Sequence, residues 1–399
     1  MRGRSRSCST VAGEAPLARR DALARAAGVG GGECWPTAAQ ELLLKAALGA
    51  GEDALAAWRS WCAGVDIERL DTASHRLLPL LYRNLERLGA RHPDVARYRG
   101  VYRQVWYRNQ TMLAELADLL RLLHAGGVRT LVLKGAALIP LYYGDVGVRA
   151  MNDIDVLVPV ARARAALDLM AGSEWTTSFP LTSSRVLLTH SVLFERGLDD
   201  FDLHWHVMEE CCLPDADEAF WSGAVQVRYQ NVDTLALNPG DQLLHVLVHG
   251  LRWAETPPVR WVADAMVVLA RAADRVDWKR LAELAVRCGV VLPVYHGLRY
   301  LESSFAAPIP QGVLARLAGT PVPRWQVAEY RVKTLRRTSW RRLRFHWFNY
   351  KRLRHVVDTE LPLGGFLGYL QGRWGVGSVW RLPGFVIAES WRRRTAAKT

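Results

Sequence analysis

Two acids one position apart, Asp153 and Asp155, head a short run that alternates strictly, Asp-Ile-Asp-Val-Leu-Val over residues 153–158, and Pro159 closes it. Alternation at period two predicts a strand, and on a strand residues two apart share a face. Both carboxylates therefore project together, while Ile154, Val156 and Val158 turn to the core. Like charges held that close repel, and a folded chain tolerates them when a cation neutralises the pair. Paired hard oxygen ligands suit Mg²⁺, with phosphate oxygens completing its shell. A second run, Phe201-Asp202-Leu203-His204-Trp205-His206-Val207, alternates in the same way. Laid beside the first strand, it adds Asp202 as a third carboxylate. Three acids on adjacent strands can hold two divalent ions about 3.5–4 Å apart, one lowering the pKa of an attacking hydroxyl and one steadying a triphosphate and its leaving group. The expected cofactor is therefore Mg²⁺, as two ions, with Mn²⁺ as a substitute.

Upstream, Leu131-Val132-Leu133-Lys134-Gly135 reads as a strand running into a glycine and then a helix. The glycine would let a phosphate approach the backbone, the helix start offers unpaired N–H groups, and Lys134 adds a positive charge. His204 and His206 share the face of Asp202, where each could bind phosphate, orient an acceptor or serve as a structural histidine; His204 is kept as a nucleotide-binding candidate. His245 and His249 lie four apart, as in H-E-x-x-H zinc helices. Val246 stands at the catalytic glutamate's position, however, and no third ligand is evident. Core or interface histidines are expected there, with Asp264 on the next helix as a partner for one of them.

These side chains need elements to position them. Residues 1–35 read as a mobile tail and residues 36–104 as an N-terminal helical cap, with helices from Glu41, over 54–61 and over 77–88. A core follows over 105–235. It opens with a long amphipathic helix, 105–125, whose Leu113, Leu116, Leu120 and Leu123 form one stripe. Then come a strand at 128–134, a helical segment at 136–143 interrupted by Pro140, a strand at 153–158 and a helix at 161–171. Strands at 190–195 and 201–207 are joined by a hairpin through Gly197 and the Asp199-Asp200 pair. After Trp221 the pattern is mostly helical. Asn238-Pro239 is a good helix start, and helices near 239–254, 259–273 and 277–288 make a bundle over 236–320. The fold class expected is α+β, a small mixed sheet with helical regions at both ends.

Half of the 399 residues are apolar and 23% are charged, which is globular composition. The formal net charge of +13 suits anionic partners: nucleotides, nucleic acid or an acidic membrane surface. The six cysteines lack the C-x-x-C spacing of a zinc site, so a reduced, cytoplasmic protein is expected, free or peripheral to the membrane. No apolar run follows the basic opening of the chain, and none reaches the roughly 18 residues of a spanning helix. The last region, 321–399, is basic and aromatic. Arg324, Arg331, Lys333, Arg336, Arg337, Arg341, Arg342, Arg344, Lys351, Arg352 and Arg354 face one acid, Glu329, and are interleaved with Trp325, Tyr330, Trp340, Phe345, Trp347, Phe348 and Tyr350. Three readings of 324–354 stand open: a nucleic-acid surface, an interfacial membrane helix, or a helix docked on the bundle with a solvated basic face.

The string LVLKGAALIPLYYGDVGVRAMNDIDVLV, followed by FDLHWHV, resembles the uncharacterised nucleotidyltransferases of the DNA polymerase β-like superfamily. The likeness runs from about Glu41 to Leu301 and includes the PLLYRNL and LLHVLVHGLRW segments. It implies transfer of a nucleoside monophosphate from a triphosphate, ATP or another, to an acceptor of small-molecule, peptide, protein or RNA type. It further implies Gly135 for the glycine motif, Asp153 and Asp155 for the D-x-D strand, and Asp202 for the later strand aspartate. Arg149 sits where the family also carries an arginine and would meet the triphosphate. The superfamily's usual Gly-Ser is Gly135-Ala136 here, and the spacing to Asp153 is longer than in the minimal transferases. The competing reading is a non-catalytic binding module that keeps this scaffold and works through the basic tail, on membrane or RNA.

Overall fold

The structure is a computed structural model that describes residues 34–388 apart from 179–180, 198, 213–214, 255, 257, 337 and 362. Nearly all of the expected tail, together with Cys8 and Arg337, lies outside the described residues. The chain opens with α1 (Ala38–Leu48), where Thr37 and Gln40 cap each other's backbone reciprocally. There follow α2 (Gly51–Gly64), a single turn α3 (Thr72–His75) capped by Asp71, and α4 (Leu78–Arg87). The long helix expected over 105–125 is longer still: α5 spans Pro93–Ala125, because Pro93 at its first turn and the His92 cap start it earlier.

One mixed sheet of six strands runs in the order β3-β4-β2-β1-β6-β5. Its strands are β1 (Leu131–Val132), β2 (Ile154–Leu157), β3 (Ser191–Arg196), β4 (Asp199–His204), β5 (Val225–Tyr229) and β6 (Val232–Ala236). β1 is shorter than its apolar run, since the chain turns into α6 (Lys134–Leu138) at Lys134. A π turn over Ile139–Tyr143 then carries Pro140 and ends at Gly144 with φ 69°. β2 pairs antiparallel with β1 and parallel with β4. β3 and β4 form the expected hairpin, with Gly197 at φ 65° in its turn. β4 is shorter than expected: it ends at His204, and the N–H groups of Trp205 and His206 both donate to the His190 carbonyl. The β5–β6 hairpin corrects the expectation that the chain is mostly helical after Trp221; β6 lies parallel to β1 and extends the sheet.

The two faces of the sheet meet different cores. Ile154, Val156, Val158, Phe201 and Leu203 pack with Leu116, Leu120 and Leu123 of α5 and with α7 (Ala163–Ala171). Leu131 and Leu157 join a second core that unites the N-terminal helices with α10 (Pro239–Gly250), α11 (Arg260–Ala272), α12 (Trp278–Arg287), α13 (Val291–Phe305) and α14 (Gln311–Gly319). Two short helices complete this part of the chain: α8 (Ser183–Leu188), whose Leu188 clusters with Tyr350, Leu353 and Tyr369, and α9 (Glu218–Ser222), whose Phe220 and Trp221 join the second core. Asp155 and Leu157 share a face by alternation. The acidic face of the sheet is thus turned toward the bundle.

The C-terminal helices α15 (Arg324–Thr334), α16 (Ser339–Glu360) and α17 (Gly365–Trp374) dock on this body. Part of the basic excess is used internally. Lys333 meets Glu210 at 2.7 Å and Glu329 at 3.1 Å, and Arg352 holds Glu329 through two bonds of 2.7 Å. Among the described residues no helix is long and apolar enough to cross a membrane, and no cysteine pair is bonded.

Candidate active site

Parallel pairing of β2 with β4 sets Asp155 directly beside Asp202 in register. His204, two residues farther along β4, shares Asp202's face and brings its Nε2 to 3.0 Å from Asp155 Oδ1. One ligand atom each from Asp155, Asp202 and His204 lie within 4.8 Å of one another. Two carboxylates and an imidazole make a donor set that fits a divalent ion. Asp153 is not part of that set. It stands at the more exposed end of the strand and is tied to the group through Lys134, whose Nζ lies 2.5 Å from Asp155 Oδ1 and 3.8 Å from Asp153 Oδ2.

Lys134 reaches this position because its own backbone is left-handed, with φ 46°. That conformation costs a non-glycine residue roughly 1–3 kcal/mol, and it aims the side chain back at the acids. Burial lowers the Lys134 pKa, but Asp155, Asp153 and Asp202 outweigh it and hold the ammonium charged. Burial likewise raises the Asp155 carboxyl, and Lys134 and His204 more than reverse this, leaving it below the usual carboxylate range. Its neighbours go the other way. Asp155 and burial raise Asp153, and burial and Asp155 raise Asp202.

A cleft of about 240 Å³ opens beside this group. Lys134, Asp153, Arg76, Arg149 and Arg260 line it, so among the described residues four cations face two carboxylates, Asp153 and Asp264. Arg149 is buried. Its Nε and Nη2 donate to Asp264 at 2.7 and 2.9 Å, and Tyr143 Oη donates to the same carboxylate at 2.7 Å. Among the described residues Arg260 has no such partner: it donates to the Ala150 carbonyl, and burial together with Arg149 brings its pKa down to about 10. Burial and repulsion from Arg149 also lower Arg76 against the pull of Asp153. A cluster of cations that depress one another favours an anionic ligand.

Gly135 leaves room for a neighbouring side chain. A Cβ built on it would stand 2.2 Å from Arg149 Nη1 and 2.9 Å from Met151 Cγ. The space it leaves is filled by the arginine that lines the cleft. Gly135→Ala should therefore displace Arg149 and cost about 1–3 kcal/mol of stability through overpacking, read as a fall in melting temperature.

His245 and His249 both line the cleft, their rings 5.9 Å apart. Burial and Lys134 bring the His245 pKa down to about 3, so it is neutral. The expected His–Asp264 pairing does not form, because Arg149 and Tyr143 take that carboxylate. His206 also leaves the face assigned to it. Beyond the end of β4 its Nδ1 lies 2.5 Å from Asp217 Oδ2, while Asp217 Oδ1 accepts the Val207 N–H. Sequence reasoning passed over three site residues. Arg76 falls just before the helix expected over 77–88, and Arg260 sits in the helix expected over 259–273, where no charged residue but Asp264 drew attention. The His190 ring lies 5.4 Å from that of His204, and the Nδ1 atoms of both are buried without a hydrogen-bond partner.

A family model described as an uncharacterised nucleotidyltransferase matches residues 67–306. No curated protein matches the chain. Among solved structures it is similar to an antigenic nucleotidyltransferase-like protein from Paracoccidioides brasiliensis, at 12% identity and a TM-score of 0.31 over 54% of this chain and 95% of that one. That likeness is too loose to carry an argument.

Proposed function

From the premise that the chain belongs to the uncharacterised nucleotidyltransferase family, we propose that it moves a nucleoside monophosphate from a nucleoside triphosphate to a hydroxyl or similar acceptor. The acceptor oxygen bonds to the α-phosphorus, the bond from that phosphorus to the bridging oxygen breaks, and pyrophosphate leaves. One observation supports this reading: a compact Asp155–Asp202–His204 group adjoins, through Lys134 and Asp153, a cleft with more cations than acids among the described residues.

Asp155 and Asp202, with Asp153 at the cleft edge and His204 beside them, would hold the divalent metal, Mg²⁺ or Mn²⁺. When bound, such a metal supplies Lewis-acid activation of the acceptor and neutralises phosphate charge. Asp202, its carboxyl raised by burial and by Asp155, takes the acceptor's proton. Arg149, Arg260 and Arg76 bind the triphosphate oxygens, with Gly135 leaving room for Arg149. Lys134 stands between the acids and the cleft, where the leaving group's charge grows.

Arg260→Ala and Arg76→Ala should each raise the KM for the triphosphate about tenfold, the worth of one charge-assisted hydrogen bond, with little change in kcat. Titration calorimetry with a non-hydrolysable analogue reads the same loss.

A second reading, a non-catalytic module on this scaffold, draws on one observation: Lys134 by itself neutralises Asp155 at 2.5 Å. One experiment separates the two. Cell extract, Mg²⁺ and triphosphates labelled at the α or γ position are incubated with the protein or with Asp153→Ala/Asp155→Ala. Nucleotidyl transfer predicts an α-labelled product that the variant does not form. Label moving only from the γ position, or equally with the variant, rules it out.

A further inference from the structure

We infer that the outward face of α16 is a docking surface for an anionic lipid bilayer. Phe345, Phe348, Tyr350, Leu353 and Val357 bury the opposite side of this helix. At about 100° per residue, Trp340, Leu343, Arg344, Trp347, Lys351 and Arg354 fall within an arc of roughly 100°. Trp340 is 68% exposed, Trp347 46% and Leu343 40%, and the three cations are exposed as well. Leu363 and Leu367, 45% and 57% exposed, continue the apolar surface where α17 begins, next to Phe366, whose ring lies 5.2 Å from that of Trp347.

The chemistry of this face selects its occupant. Exposed tryptophans beside arginine and lysine match the depth profile of a bilayer interface, with rings at the headgroups and cations against acidic lipid. A nucleic acid would use the cations and the rings, but leucines gain nothing against phosphate and sugar. In the acyl boundary they do. Charge complementarity points the same way. Lys333 and Arg352 of this basic segment are spent on internal acids, whereas Arg344, Lys351 and Arg354 face outward. The acids on α16, Asp358 and Glu360, are confined to its last turn, where Asp358 meets Arg354 at 3.2 Å.

The test uses the full chain without nucleotide, so it is independent of the transfer reaction. Co-sedimentation at about 0.1 M salt, where charges more than about 10 Å apart are largely screened, compares phosphatidylcholine vesicles with vesicles that also contain phosphatidylglycerol. The expected result is binding to the anionic vesicles only, with a blue shift of tryptophan emission. Arg344→Glu/Lys351→Glu should weaken binding at least about 25-fold, from roughly fivefold per cation removed. Trp340→Ser/Leu343→Ser and, separately, Leu367→Ser should each weaken it at least about tenfold, with melting temperatures unchanged because these side chains are exposed. Failure to bind anionic vesicles overturns the proposal. So does binding that the charge variant abolishes but the apolar variants leave intact, or displacement of the vesicles by single-stranded RNA that binds with the same tryptophan dependence.

Discussion

Replacing Asp202 by asparagine should cost about three orders of magnitude in transfer rate and nothing in stability, whereas Asp155→Asn should lose both. The contrast follows from how the fold treats the two carboxyls. Asp155 is buried, and its charge is used by the fold itself: Lys134 sits at 2.5 Å and His204 at 3.0 Å. Neutralising it leaves the Lys134 ammonium with Asp153, at 3.8 Å, and the more distant charge of Asp202, and breaking a buried pair of this kind costs about 3–5 kcal/mol. Asp202 is held in its ionised form against burial and against Asp155, which is why its carboxyl is raised. An acid whose folded pKa is raised destabilises the folded chain at neutral pH, so a neutral asparagine there should keep the melting temperature or lift it slightly. Activity should nevertheless collapse about a thousandfold, the scale seen when a group aimed at developing charge is removed. Melting curves and single-turnover transfer on the two variants check this. A destabilised but active Asp202→Asn protein would mean that this carboxylate serves the fold and not the chemistry.

Much of this site is legible in the sequence. Period two in residues 153–158 and 201–204 gave both strands and the shared face of Asp202 and His204, because alternation is a local property. Register is not local, yet the apolar faces left little choice: Val156 and Leu203 had to meet one core, which set Asp155 beside Asp202. Where local pattern and tertiary partner compete, the pattern misleads. Trp205, His206 and Val207 continue the alternation of β4, but the His190 carbonyl and Asp217 draw their N–H groups and the His206 ring out of the sheet. The β5–β6 hairpin was legible in principle from Val225, Val227 and Tyr229, but its Gln230-Asn231 turn, with Gln230 at φ 51°, lacks the glycine that usually marks one. The arginine cleft could not be seen at all. Arg76, Arg149 and Arg260 are more than a hundred residues apart at the extremes and converge only when α3, the loop before β2 and α11 pack together.

Asp264→Ala is expected to lower the melting temperature by about 5 °C, the largest purely structural effect at this site. Asp264 accepts from Tyr143 and twice from Arg149 in a buried position, where the two charged side chains are 7% and 6% exposed. Without it, Arg149 keeps a buried charge facing Arg260, which is already depressed by that neighbour. The loss should be about 3–5 kcal/mol, which a chain of this size reads as roughly 1 °C per kcal/mol. Removing both charges in Arg149→Met/Asp264→Leu should cost less than the sum of the singles, by about 1–3 kcal/mol, because the double variant leaves no orphaned ion. The pH dependence has a fixed sign. Burial raises the Asp264 carboxyl, but Arg149, Arg260 and Tyr143 outweigh it and hold it below its ordinary value. Its contribution is thus fully present above about pH 4, the unfolded value, and is lost as pH falls through the lower folded one. Wild type and Asp264→Ala should therefore converge in stability only in acid. If they differ by the same amount at pH 3 and pH 7, the charge of Asp264 is not what holds Arg149 in place, and the arginine that Gly135 makes room for must be positioned by packing alone.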